Sequence, residues 1–189
     1  KDDYLVVLGS MFNLQESLQD IAEKSQISNQ RQNKRELNYT QSSNDIEVEY
    51  NEGQFTFAYD ESKWKVQPLE NLGNDDAKLY LLGEGDTYVT IIPETAELTF
   101  EYMEEAILSN MKSVDSGAEI TEKGFRIVND TELMWAYAEA ESEGIEFTFY
   151  YHFYTGYAGT IQVVTWTTSN IFERRIKIID ELVAGLIVN

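Results

Sequence analysis

The sequence predicts an α+β fold, in which one antiparallel sheet is covered by helices on its faces as an α/β/α sandwich, with an N-terminal helix and a linker before it. Three observations predict this architecture. From residue 46 onward apolar and polar residues alternate, which is the period of a strand. Two stretches, after residues 98 and 170, instead repeat their apolar residues every three or four positions, the period of a helix. Short turns rich in Gly, Asn and Asp separate the strands, and strands joined by such turns run antiparallel.

The N-terminal residues 1–24 predict an amphipathic helix, because their apolar residues recur three or four positions apart. We call these residues the leader stripe: Tyr4, Val7, Met11, Leu14, Leu18 and Ile21. An isolated helix of this length is marginal in water, so it needs a surface, which can be the body, a second copy or a protein partner. Residues 25–45 are rich in Ser, Asn and Gln and predict a flexible linker, which leaves residues 46–189 as the folded body.

The first half of the body predicts a meander of short strands. They cover residues 46–50, 54–59, 64–66, 77–82 and 88–92. Gly83 and Gly85, in the sequence LGEGDT, form the turn between the last two of these strands. A phosphate-binding loop would need a helix directly after the glycines, and none is predicted there.

The second half predicts helix, four longer strands and helix. The first helix follows Pro93, with Thr99 as its N-cap and Gly117 as its end. The strands cover residues 119–128, 131–140, 145–154 and 160–168. The last helix starts at about Ile171, capped by Ser169 or Asn170, and its apolar stripe consists of Phe172, Ile176, Ile179, Val183 and Leu186.

The chain's single histidine, His152, lies in an aromatic strand. Tyr150 and Tyr154 share its face of the strand, while Phe149, Tyr151 and Phe153 share the other. Rings on both faces predict a sheet covered on both sides, in which His152 hydrogen-bonds locally or sits near an edge. Because a histidine metal site recruits several ligands and no second histidine exists, we expect His152 to be dispensable for function.

Charge and cysteine usage exclude several kinds of protein. The formal net charge is −20, and all of it lies in residues 36–189, because residues 1–35 contain five basic and five acidic side chains. Such a surface repels phosphate groups, so we expect no nucleic-acid partner. The absence of cysteine excludes thiol nucleophiles and thiolate metal sites, and it slightly favours export. No apolar run of about 18 residues exists, so we expect no direct insertion into a membrane.

No residue set predicts a catalytic, cofactor or metal site. Glu139, Glu141 and Glu143 project from one side of an extended segment and could hold a hard cation such as calcium, but the solvated end of a hairpin explains them too. The triplets at residues 38–40 and 129–131 match the glycosylation pattern, which arises often by chance.

Four stretches together resemble the PsbP-like family, over residues 54–188. They are the opening FTFAYDESKWKV, the helix TFEYMEEAILSNMKS, the hairpins GIEFTFYYHFYTGYAGTIQVVTWTT and the last helix NIFERRIKIIDELVAGLIV. The resemblance implies an α/β/α sandwich and a non-enzymatic module that binds or stabilises another protein. It also implies a bacterial protein that is exported or tethered at the cell surface. The alternative function is a hydrolase or lyase that uses carboxylates.

Deleting residues 1–35 should leave the cooperative unfolding of the body intact, because residues 46–189 contain their own strands and two covering helices. The deletion should change the oligomeric state or the capture of a partner, since burying each large apolar side chain contributes about 1.5–3 kcal/mol. Thermal denaturation and light scattering measure the two effects. A truncated chain that fails to fold would contradict this prediction, and so would a full-length monomer with the helix packed on its own sheet.

Overall fold

The computed structural model describes residues 36–113 and 115–189. The leader stripe and residues 25–35 lie outside this range. The described elements, in chain order, are β1 (Asp45–Tyr50), β2 (Phe55–Asp60), β3 (Lys65–Val66), β4 (Leu79–Gly83), β5 (Thr87–Glu94), α1 (Phe100–Lys112), β6 (Glu119–Val128), β7 (Thr131–Ser142), β8 (Ile145–Gly156), β9 (Gly159–Thr168), α2 (Ser169–Val183) and β10 (Leu186–Val188).

The strands form two antiparallel sheets, not the single sheet that the sequence predicts. The large sheet has seven strands in the order β3-β4-β5-β9-β8-β7-β6, and the small sheet has three in the order β1-β2-β10. Strands β1 and β2 are not part of the predicted meander and form a separate sheet with β10. Strand β10 pairs with the edge of β2 that β1 does not occupy, with Leu186 opposite Phe57. The α+β class and the antiparallel pairing are confirmed.

The prediction that Leu186 ends the last helix is wrong. The helix ends at Val183, and Leu186 starts β10, where its side chain is still buried. The chain changes direction at Gly185, whose carbonyl oxygen accepts a hydrogen bond from Ala58 N at 2.9 Å. A Cβ at this position would lie 1.9 Å from Ala58 O, so only glycine lets the two backbones approach this closely.

The predicted N-cap of α1 is confirmed, and the predicted N-cap of α2 is wrong. Thr99 caps α1, and its Oγ1 accepts a hydrogen bond from Tyr102 N at 3.2 Å, although α1 ends at Lys112, before Gly117. The N-cap of α2 is Thr168 and makes no side-chain cap bond. Ser169 and Asn170 are used elsewhere, since Ser169 Oγ accepts from Thr148 Oγ1 and Asn170 Oδ1 accepts from Thr168 Oγ1.

The large sheet is covered on both faces, as the alternation in β8 predicts. Tyr151 and Phe153 point to the layer that contains α1, whose Met103, Ile107 and Met111 pack on that face. Tyr150 and Tyr154 point to the opposite layer, which contains Phe55 and Phe57 of the small sheet and Phe172 and Ile179 of α2. Since β8 lies between β9 and β7, the second of the two alternatives for His152, a place near an edge, is wrong.

Residues 36–45, the last part of the predicted linker, are attached to the body. Leu37 N donates to Ile127 O, and Asn129 N donates to Leu37 O, both at 2.9 Å. The side chain of Asn129 accepts from Tyr39 N at 2.7 Å and donates to Ala184 O and Leu186 O at 2.7 and 2.8 Å. One amide therefore joins the N-terminal segment, the β6–β7 turn and the end of α2.

Replacing Gly185 with alanine should lower the free energy of unfolding by about 2–4 kcal/mol, because the new Cβ forces the chain away from Ala58 O. Gly144→Ala is the matched control. Its φ of 78° costs an alanine about 1 kcal/mol, but no atom of the described residues lies within 4 Å of the added carbon. Urea denaturation of both variants gives the comparison, and equal losses would show that the approach of β10 to β2 does not require glycine.

Candidate functional site

A surface groove of about 380 Å³ lies between the N-terminal segment, the end of β2 with the turn that follows it, and the last turns of α2. The side chains that give it its chemistry are Tyr39, Asp45, Tyr59, Asp60, Lys63 and Glu181. Ala58 and Trp64 also line it from the β2 side, and Ile178, Leu182 and Ala184 line it from the α2 side. The groove thus combines carboxylates with an apolar and aromatic floor.

The N-terminal wall is held by Asp45. Its Oδ2 accepts a hydrogen bond from Tyr39 OH at 2.6 Å and another from Ser42 N. Burial, together with the hydrogen bond to Asp45, raises the pKa of Tyr39 to about 12. The phenol therefore stays protonated and keeps its role as a donor to Asp45.

The opposite wall carries an ionised carboxylate and an ion pair. Asp60 Oδ1 accepts from Ser62 Oγ at 2.6 Å and from Ser62 N at 2.9 Å, and these hydrogen bonds lower the pKa of Asp60. Lys63 Nζ lies 3.1 Å from Glu181 Oε2, so the turn after β2 is linked to α2. Three carboxylates and one ammonium group give this groove a net negative charge.

A cationic group suits this arrangement better than an acid–base reaction does. Carboxylates bind guanidinium and ammonium groups through charge-assisted hydrogen bonds, and the half-buried Tyr39 ring attracts the same cations. Trp64 and Tyr59 are 2% and 6% exposed and pack beneath the groove. General acid catalysis needs a carboxyl group that stays protonated near neutral pH, which a lowered pKa at Asp60 opposes.

A buried charged cluster lies under α2, next to the groove. Arg126 Nη1 lies 2.8 Å from Asp180 Oδ1, 2.6 Å from Tyr150 OH and 2.9 Å from His152 Nε2, so its two N–H groups are shared among three acceptors. The exposed fractions are 6% for Arg126 and 8% for Asp180. Burial raises the pKa of the Tyr150 phenol well above its ordinary value, so this group remains a hydroxyl. The cluster connects β6, β8 and α2 through one guanidinium group.

His152 is fully buried in this cluster. Burial, and then the positive charge of Arg126, hold its pKa well below the ordinary value, so the ring is neutral. Because Arg126 Nη1 is a donor, His152 Nε2 acts as the acceptor and Nδ1 carries the proton. Among the described residues Nδ1 has no hydrogen-bond partner. The expected local hydrogen bond is thus a contact with an arginine on another strand.

Neither Arg126 nor Asp180 is singled out from the sequence, although a signal for Asp180 is present. Asp180 lies four positions after Ile176 and beside Ile179, on the apolar stripe of α2. Arg126 lies two positions before Val128 in β6, so the two side chains share one face of the strand, and both are buried. A charge inside the apolar stripe of α2 marks Asp180 as a buried group, whereas the positions of β6 in step with Arg126 also hold Glu122 and Gly124 and carry no such mark.

The remaining residues singled out from the sequence lie elsewhere. Glu139, Glu141 and Glu143 are exposed at the β7–β8 hairpin end, and in the part of the chain that the structure describes no three His, Asp or Glu side chains are placed to hold a metal. Gly83 and Gly85 lie at the β4–β5 hairpin, as predicted. Asn38 is exposed, whereas the amide nitrogen of Asn129 is already hydrogen-bonded to two carbonyl groups. Neither α1 nor α2 is long and apolar enough to cross a bilayer.

Replacing Asp180 with alanine should lower the free energy of unfolding by about 3–5 kcal/mol, because Arg126 then keeps a buried charge without its carboxylate. Its neighbour Glu181 is the matched control. Glu181→Ala removes a half-exposed ion pair with Lys63 and should cost about 0–1 kcal/mol. Chemical denaturation at neutral pH compares the two variants, and similar losses would mean that the cluster does not hold α2.

Comparison with known proteins gives a fold but no sequence family. No family model matches the chain, and no curated protein does. The solution structure of cyanobacterial PsbP (CyanoP) from Synechocystis sp. PCC 6803 is similar, with a TM-score of 0.58 and 12% sequence identity over 79% of this chain and 95% of that one.

Two further structures are more distant. PA94 from Pseudomonas aeruginosa, a protein of unknown function and putative regulator, has a TM-score of 0.46 and 9% identity, covering 77% of this chain and 97% of its own. A protein from Bacteroides thetaiotaomicron VPI-5482 has a TM-score of 0.38 and 11% identity, covering 77% and 49%. The described chain has a PsbP-like fold, like the cyanobacterial protein and as the resemblance in its sequence predicts.

Proposed function

We propose that this protein is a non-enzymatic protein-binding module whose groove receives an extended, positively charged segment of a protein partner. The observation that carries the proposal is the groove itself, where Asp45, Asp60 and Glu181 face one lysine beside aromatic rings. The charge of the whole body points the same way, since residues 36–189 contain all of the net −20. Such a field attracts cationic partners and speeds their association.

The contacts in the groove support binding over catalysis. Each of the three carboxylates already has a partner within the chain: Tyr39 and Ser42 for Asp45, Ser62 for Asp60, and Lys63 for Glu181. Groups held in this way form a fixed charged surface. The PsbP-like fold supports the same role, because the family resemblance implies modules that bind or stabilise other proteins.

The carboxylate-dependent hydrolase or lyase remains the second candidate, and one residue favours it. Glu94, in β5, is half-buried, and burial followed by the charge of Asp76 raises its pKa. A raised pKa favours the protonated form of Glu94, which is the form that a general acid needs. However, Glu94 Oε1 is closed off from solvent. Because a general acid must reach the substrate's leaving group, we rank this function second.

We also propose a role for the leader and a location. The leader stripe docks on a second copy or on a protein partner, and the protein works outside the bacterial cytoplasm, in the periplasm or at the cell surface. What supports the first is the apolar spacing of residues 4–21, and what supports the second is the absence of cysteine together with the family resemblance.

Removing two groove charges should weaken binding of a cationic peptide about tenfold, which corresponds to about 1.4 kcal/mol. The variant is Asp60→Asn with Glu181→Gln, and the probe is a synthetic peptide with four arginines separated by Ser and Gln. Fluorescence anisotropy at about 0.1 M salt measures the affinity, because screening there suppresses attraction between distant charges.

The control removes the same charge elsewhere, by Glu139→Gln with Glu141→Gln at the exposed end of β7. These substitutions should change the affinity less than twofold. Equal losses in both double variants would show that the peptide responds only to net charge. Absence of measurable binding to the unaltered protein would refute the groove as a site for a cationic segment.

A further inference from the structure

We propose that mild acid opens the groove by releasing α2 from the large sheet, with His152 as the group that takes up the proton. This inference rests on the proposed function, because it concerns the regulation of the same groove. It assigns His152 a role that becomes visible only below neutral pH.

Helix α2 joins the cluster to the groove at adjacent residues. Asp180 binds Arg126 inside the cluster, while Glu181 and Leu182, the next two residues, line the groove. Ile178, one turn earlier, lines it as well. A change in how the last turns of α2 sit on the sheet therefore moves one wall of the groove.

A proton on His152 is incompatible with the closed arrangement. The neutral ring accepts from Arg126 Nη1 through Nε2, and a proton on that nitrogen would place two donors 2.9 Å apart. It would also add a second positive charge to a fully buried site, where Asp180 is the carboxylate that faces Arg126. When α2 separates from the sheet, water reaches the ring, and both the contact between two donors and the cost of a buried second charge are relieved.

The groups around His152 offer little to offset this charge. Strand β6 contributes Arg126, and α2 contributes Asp180. Strand β8 contributes the Tyr150 hydroxyl, and Tyr137 of β7 hydrogen-bonds to that hydroxyl. Strand β9 places Val163 opposite His152, and the small sheet places Phe55 on Tyr154. Only one of these groups is negatively charged.

The direction of the pH effect follows from the two forms of the ring. In the closed form, burial and Arg126 depress the pKa of His152, whereas a histidine in water has a pKa of about 6.5. As pH falls below about 6.5, the open form gains a proton that the closed form does not. The ratio of open to closed form should then rise about 30-fold between pH 7.5 and 5.0, with most of the rise below about 6.5.

Hydrogen exchange of the α2 amides in the full chain tests the proposal between pH 7.5 and 5.0, after correction for intrinsic exchange rates. The amides of α1, on the other face of the sheet, are the internal control. In the unaltered protein the opening constant of α2 should rise about 30-fold between pH 7.5 and 5.0. In His152→Gln it should stay within about twofold, because the glutamine oxygen accepts from Arg126 without titrating. The same pH dependence in both proteins would overturn the proposal.

The arginine peptide separates this inference from the proposed function. If both are right, its affinity falls with pH in the unaltered protein and falls less in His152→Gln. If α2 opens in a His152-dependent way but the peptide never binds, the proposed function fails and the acid response stands. If His152→Gln does not fold, NMR of the chain's single imidazole decides: a titration near pH 6.5 in the folded protein would overturn the proposal.

Discussion

The central strands of the large sheet are buried on both faces. This constraint determines which elements must form the two layers that cover the sheet. Strand β9 is buried at nine of its ten residues. A seven-stranded sheet is about 30 Å wide, whereas a helix with its side chains covers about 10 Å. Helix α1 and its neighbouring loops cover one face, but α2 alone cannot cover the other. The small sheet supplies the missing area, and β10 is the strand that brings β2 onto this layer.

Within that apolar layer, Arg126, Asp180, Tyr150 and His152 form a polar exception. A buried ion pair often stabilises no more than well-packed apolar residues would, because both charges lose their water. What the cluster adds is position: an apolar helix face can slide on a sheet, whereas a guanidinium nitrogen 2.8 Å from one carboxylate oxygen fixes the register of α2. The groove depends on that register, since the residue after Asp180 forms part of its wall.

Local signals decided which parts of the structure the sequence predicts. The bounds of β6, residues 119–128, are predicted to the residue, because the alternation stops at Asn129 and Asp130, which adopt positive φ. Leu186 continues the helical spacing of α2, and only the distant contact of Gly185 with Ala58 assigns it to a strand. The groove was not predicted because its walls come from three separate segments, and no periodicity links them.

The pairing of β10 with β2 also sets the order in which the protein can be completed during synthesis. Asn189 donates to Thr56, which precedes it by 133 positions, so β2 emerges from the ribosome long before its neighbour exists. Until then one edge of β2 is open, and such edges are exposed to wrong pairing. Because Ala58 lies on β2 and lines the groove, the β2 wall of the groove has no neighbouring strand on that side until β10 has been made.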